Sequence, residues 1–292
     1  MVKNIQGQPT PVLAEDSFDA KSVGASVGFR VLLPAGWAAG ERLPFVLHLH
    51  GAMSSSTSLE LARPFYEQLW ERGELPRAVV ACPSTPTHGG FYIDGPQAAW
   101  ETLIAAEFPE FLAAGYGQFT ATAVIGASMG GYGALKIAFE TPGRFAAVAA
   151  ISPAVFPGET PDGVPERNIP SVLGDLHAAM SGGTGDESTY AASSVHARAR
   201  VHAREIRDAR LPILIDCGAE DEFLLHEGAE YLHRVLTGLG IPHEYHLVAG
   251  AGHQGPAAGL RTLDAIRFIG TALAGRPSAR LPLGPEWTRQ WT

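Results

Sequence analysis

Ala121-Thr-Ala-Val-Ile125 runs into Gly126-Ala-Ser-Met-Gly-Gly131, and Tyr132 to Phe139 runs out of it. The first run is apolar and strand-like, and the last has the composition of a helix. Strand, Gly-x-Ser-x-Gly and helix in this order are the pattern of a nucleophile elbow. The turn is too tight for side chains at Gly126 and Gly130, and glycine has none. Its expected product is a Ser128 hydroxyl raised above a sheet edge. The Met129 amide then lies at a helix N-terminus, where amides lack internal partners and can face an oxyanion. As a bare turn the five positions would be unremarkable, but both flanking elements are present.

Working outward, the rest of the chain alternates strands and helices. Ser26 to Leu33 alternates as a half-buried antiparallel strand, and Leu43 to Leu49 is an apolar strand ending at His50-Gly51. Helical spacing covers Leu59 to Arg72 and Gln97 to Ala114, with short strands at Ala78 to Ala81 and Phe145 to Ile151. A helix over Val195 to Arg207, a strand over Ile213 to Cys217 and a helix over Leu225 to Leu239 follow. A strand at His243 to Val248 and a last helix at Pro256 to Leu273 complete the series. The alternation predicts an α/β fold, a mainly parallel sheet flanked by helices. The expected organisation is an N-terminal extension (1–24), one α/β domain (25–274) and a C-terminal tail (275–292). Residues 154–190, rich in Pro, Gly and Asp, read as an irregular lid or cap-like insertion. The tail, with Trp287 and Trp291, could dock on its own domain or on a second subunit, which would make a homo-oligomer.

Bulk properties narrow the function. The 292 residues are 46% hydrophobic and 17% charged, with net charge −9, a globular composition with no basic footprint for nucleic acid. No run reaches membrane-span length, and the polar N-terminus lacks a signal-peptide core, so no membrane partner and a cytoplasmic location are expected. Cys82 and Cys217 each end an apolar strand and read as buried free thiols. There is no phosphate-loop motif. His48 and His50 share a strand face, but no further cluster completes a metal site, so no metal is expected.

A serine hydroxyl needs a base, and the base needs an orienting acid. Ligands gather at the carboxyl ends of parallel strands, and the chain order should be Ser, acid, His. Asp221, just after the strand ending at Cys217, is the best-placed acid. Glu220 and Glu222 are its rivals, and Asp216 inside the strand ranks lower. An alternative role for Asp221 is capping the helix that follows. Among 11 histidines, His226 and His233 sit in a helix and His243 and His246 in a strand. His253, on the loop after the last strand, is the candidate base. The second oxyanion donor is expected from the Ala52 amide, with Met53 as rival. His50 would order that loop, and His50, Phe91, Tyr92 and Phe156 are candidates for the substrate pocket.

The chain resembles the esterase D family of α/β-hydrolases, which includes S-formylglutathione hydrolases, feruloyl esterases and mycolyltransferases. The resemblance rests on Leu47-His-Leu-His-Gly51, Phe91-Tyr-Ile-Asp, Trp100-Glu-Thr, Gly126-Ala-Ser-Met-Gly-Gly-Tyr-Gly-Ala-Leu135, Ile151-Ser-Pro, Asp216-Cys-Gly-Ala-Glu-Asp-Glu-Phe223 and Gly252-His253. It implies an α/β-hydrolase fold, Ser128 as nucleophile, Asp221 as acid, His253 as base, and the Ala52 and Met129 amides as oxyanion hole. The segment from Gly158 to Tyr190 and the continuation Gln254-Gly-Pro depart from the family pattern. The expected activity is hydrolysis of a small ester or thioester through an acyl-enzyme, with no cofactor. An acyltransferase using the same triad and a non-catalytic binding module are the alternatives.

Overall fold

The computed structural model describes residues 6–275. One eight-stranded sheet, ordered β1-β2-β4-β3-β5-β6-β7-β8, organises them. Its strands are β1 (Val12–Ala20), β2 (Ala25–Leu33), β3 (Leu43–Leu49), β4 (Val79–Pro83), β5 (Phe119–Ala127), β6 (Ala147–Ile151), β7 (Ile213–Gly218) and β8 (Glu244–Val248). β2 pairs antiparallel with both β1 and β4, and every other pairing is parallel. Crossovers between parallel strands demand helices on both faces. These are α1 (Ser58–Glu71), α2 (Phe108–Tyr116), α3 (Met129–Glu140), α4 (Val172–Met180), α5 (Glu187–Ser193), α6 (Val195–Val201), α7 (Ala203–Ala209), α8 (Leu225–Gly238) and α9 (Pro256–Leu273). An α turn (Trp100–Thr102) and a π turn (Leu103–Glu107) lead into α2. The two faces of the sheet bury separate apolar clusters, so β3 to β7 carry almost unbroken Val, Ile, Leu and Ala.

Three expectations need revision. The extension expected over 1–24 contributes β1, whose nine residues pair along all of β2. Only Phe18 and Ala20 of it are buried, so its alternation is too faint to read. The single helix expected from Val195 to Arg207 is two, α6 and α7, broken at His202. The 154–190 stretch, expected to be irregular, contains α4, most of α5 and two 3₁₀ turns. Two carboxylates fasten it. Glu159 accepts from Arg200 and Tyr231, and Glu227 accepts from Arg167 and Asn168. The expected tail with Trp287 and Trp291 lies outside the described residues.

Behind α3 lies a buried charged cluster. Lys136, fully buried, sits 3.1 Å from Glu101, which also accepts from Arg198 at 3.0 Å. It ties α3 to the Trp100 turn and to α6.

Candidate active site

Register brings the strand ends to one edge. Leu49 of β3 faces Gly126 of β5, Ala127 faces Ile151 of β6, Ile151 faces Asp216 of β7, and Gly218 faces Val248 of β8. The loops leaving these ends carry His50-Gly-Ala52, Ser128, Ser152, Asp221 and His253. The strand order reverses between β4-β3 and β5, and open α/β sheets bind ligands at such a switch point.

Backbone contact builds the elbow. A Cβ on Gly126 would stand 2.3 Å from the Gly130 carbonyl, and one on Gly130 would stand 2.1 Å from the Leu49 oxygen. No side chain fits at either position, so β3, β5 and α3 meet at glycine. Ser128 is thereby held at φ 56°, ψ −119°, a conformation that costs a non-glycine residue about 1–3 kcal/mol. Its amide donates to Ile151 O at 2.9 Å, and its carbonyl accepts from Ala154 at 3.0 Å. Met129 is the first residue of α3, so its amide has no acceptor within the helix.

Facing the elbow is the loop after β3. The buried His50 ring accepts from the Thr85 amide through Nε2 (2.9 Å) and donates through Nδ1 to Gly51 O (2.8 Å). Tyr92 Oη donates to the His50 carbonyl at 3.0 Å. Burial holds the His50 imidazole below its ordinary range, so it stays neutral and keeps this tautomer. The Met53 amide is committed to Thr87 Oγ1 at 2.7 Å. Among the described residues nothing accepts from the Ala52 amide. Tyr92 is fully buried and Phe91 nearly so, both at positive φ, and the Tyr92 ring lies 5.9 Å from that of His50, bracing the loop. Phe156 is also buried and packs edge-on against His177 of α4. None of the four expected pocket residues is exposed.

The candidate acid and base meet across two other loops. His253 Nδ1 donates to Asp221 Oδ2 at 2.8 Å, leaving Nε2 free, and the other carboxylate oxygen accepts from the Phe223 amide at 3.0 Å. Burial alone would raise the Asp221 carboxyl. The hydrogen bond and charge of His253, the Phe223 amide and the Ser152 hydroxyl together hold it below its ordinary value. Phe223 sets its ring edge-on against the imidazole, centroids 4.9 Å apart. Of the rival acids, Glu220 is exposed, while Glu222 accepts from the His253 amide at 2.7 Å and grips the loop, not the ring. Asp216 is buried against Arg261 of α9 at 2.5 Å. Among the described residues Ser128 Oγ makes no hydrogen bond, and no group of three or more metal-ligating side chains gathers.

Sequence reading gave no site role to Thr85, Thr87, Phe223 or Arg261. The last had a signal. Arg261, Ala265 and Ile269 share the inward face of α9 at four-residue spacing, and one of them is charged.

Comparison with known proteins follows the same lines. The model of the Esterase family matches residues 20–254. S-formylglutathione hydrolase of Paracoccus denitrificans is 29% identical over 175 residues, which is 56% of this chain and 56% of that enzyme. The aligned part thus spans little more than half of that curated relative. A ferulic acid esterase structure superposes with TM-score 0.73 at 19% identity, covering 90% of this chain and 99% of that one. An S-formylglutathione hydrolase from Agrobacterium tumefaciens gives 0.72 at 19%, covering 91% and 96%. At such identities the structural likeness speaks for a common fold.

Proposed function

The chain belongs to the Esterase family, and on that premise we propose that it is a serine hydrolase of small carboxylic esters or thioesters, working through an acyl-enzyme. The observation that carries the reading is the Asp221–His253 hydrogen bond, on the sheet edge that also raises Ser128. Ser128 Oγ attacks the carbonyl carbon, and its proton passes to His253 Nε2. Asp221 keeps the imidazole in the tautomer that leaves Nε2 as base and stabilises the imidazolium that forms. The Ala52 and Met129 amides receive the oxyanion, and the His50–Tyr92–Thr85 bracing keeps the first of them aimed before substrate arrives. His253 then protonates the leaving alcohol or thiol. Water, deprotonated by the same ring, releases the acid.

The two cysteines, free and buried, accord with a reducing compartment, so the reading includes a cytoplasmic location. No helix among the described residues is long and apolar enough to cross a membrane. The test is a panel of nitrophenyl esters and acyl thioesters, with a fluorophosphonate probe for the nucleophile. Turnover and labelling should vanish together in Ser128→Ala while circular dichroism is unchanged. Residual turnover by a clean Ser128→Ala preparation would sink the reading.

A further inference from the structure

Arg261 is a buried guanidinium that the mechanism above does not use. It sits one turn into α9 and makes four hydrogen bonds to three different strand ends or loops. Nε donates to Asp216 Oδ1 (2.5 Å), and Nη2 donates to Ser152 Oγ (2.8 Å) and to Asp216 O (3.5 Å). Nη1 donates to the carbonyl of Gly252 (3.1 Å), the residue before His253. Ser152 is itself unusual. It is buried at φ 41°, left-handed for a residue with a Cβ, and its amide donates to Asp216 O at 2.6 Å. Its hydroxyl also lies 3.6 Å from Cys217 Sγ. Cys217 Sγ in turn lies 4.0 Å from Asp221 Oδ2, so the Ser152 hydroxyl, fixed by Arg261, and the Cys217 thiol stand between the guanidinium and the acid, and that hydroxyl helps hold the Asp221 carboxyl low.

We infer that Arg261 is a positioning residue that sets the acid and the base against each other, reaching Asp221 through the Ser152 hydroxyl and His253 through the Gly252 carbonyl. A plain structural ion pair would need only Asp216. The other contacts go to groups that flank the proposed triad, and only a planar fork with several donors can satisfy them together. Asp216, the disfavoured candidate acid, becomes the anchor of the fork. The inference rests on the esterase reading and extends it to a residue outside the triad.

Charged and titratable groups around the cluster are Asp216, Cys217, Asp221 and Glu222 from β7 and its loop, His253, His246 of β8, and Asp264 of α9. Removing the serine donor, or the cation behind it, leaves Asp221 a stronger acceptor for the imidazole proton. The acid limb of kcat/KM should then move to higher pH. Ser152→Ala, Arg261→Lys and Arg261→Met in the full chain test this. Ser152→Ala and Arg261→Met are expected to lower kcat about tenfold or more at nearly constant KM, with the acid limb shifted upward. Arg261→Lys, a point charge without the fork, should recover part of the loss. The downfield proton resonance of His253 Nδ1–H should move in Ser152→Ala, a readout that needs no turnover. Arg261→Met strands a buried carboxylate, and if it does not fold, Ser152→Ala decides alone. Wild-type kcat, an unmoved acid limb and an unshifted resonance in Ser152→Ala would overturn the inference. Loss of Ser128 labelling in the wild type would instead strike the esterase reading.

Discussion

The Ser128 side of the site is held by backbone, the Asp221–His253 side by side chains. On the first, glycines at 126 and 130 let β3, β5 and α3 touch, and the proposed nucleophile follows from six consecutive residues. On the second, two loops 32 residues apart are joined by carboxylates, a ring contact and a buried arginine. A backbone-built turn tolerates almost no change in shape. A side-chain-built junction can lose one tie and keep its form while losing alignment. The two halves should therefore fail differently, one in stability and the other in rate.

The largest effect is expected where the junction carries the chemistry. Asp221→Asn preserves shape but not the carboxylate, and kcat should fall about 10⁴-fold with melting temperature nearly unchanged. Steady-state kinetics beside a thermal melt would reveal a contrary result, a large stability loss with modest loss of rate. Next is the elbow. Gly130→Ala puts a methyl 2.1 Å from the Leu49 oxygen and should cost about 3 kcal/mol or more in denaturant unfolding. Gly115→Ala in α2, where the methyl meets nothing, is its control and should stabilise by about 0.5–1 kcal/mol. Equal responses would erase the distinction between the halves.

The elbow half also has a buried charge behind it. Burial lowers the Lys136 ammonium from 10.5 to about 8 against the pull of Glu101. Between those values the unfolded chain binds that proton more tightly than the folded one. Stability from this group should therefore rise as pH climbs from about 8 to about 10.5, by roughly 2–3 kcal/mol. Lys136→Met should lack that rise when urea unfolding is compared with wild type at the two ends of the window. A parallel pH response would assign the burial cost elsewhere. Smallest is Glu222→Gln. It keeps an acceptor for the His253 amide but removes the charge, and a drop of only a few-fold in kcat is expected. A loss rivalling Asp221→Asn would make Glu222 more than a grip on the loop.

Legibility in the sequence divides along the same line. The alternation of strands and helices was readable because β3 to β7 are mostly buried and mostly apolar along their length. The elbow was readable because its steric demand falls on adjacent residues. Asp221 and His253 could be chosen only from chain order and position after a strand, since nothing local joins them. Arg261, Thr85 and Phe223 escaped because their value lies in partners far along the chain. β1 escaped for a different reason, as an edge strand with one wet face needs few apolar residues.

The dihedral at Ser128 has a consequence for how this molecule ages under heat. A residue pinned at φ 56°, ψ −119° relaxes as soon as its surroundings loosen, because the unstrained form lies downhill. Local slackening near the β3 and β6 exits would thus disarm the proposed nucleophile while the sheet still melts as one piece. Warmed gradually, the protein should fall silent several degrees before it unfolds and should recover its voice on cooling.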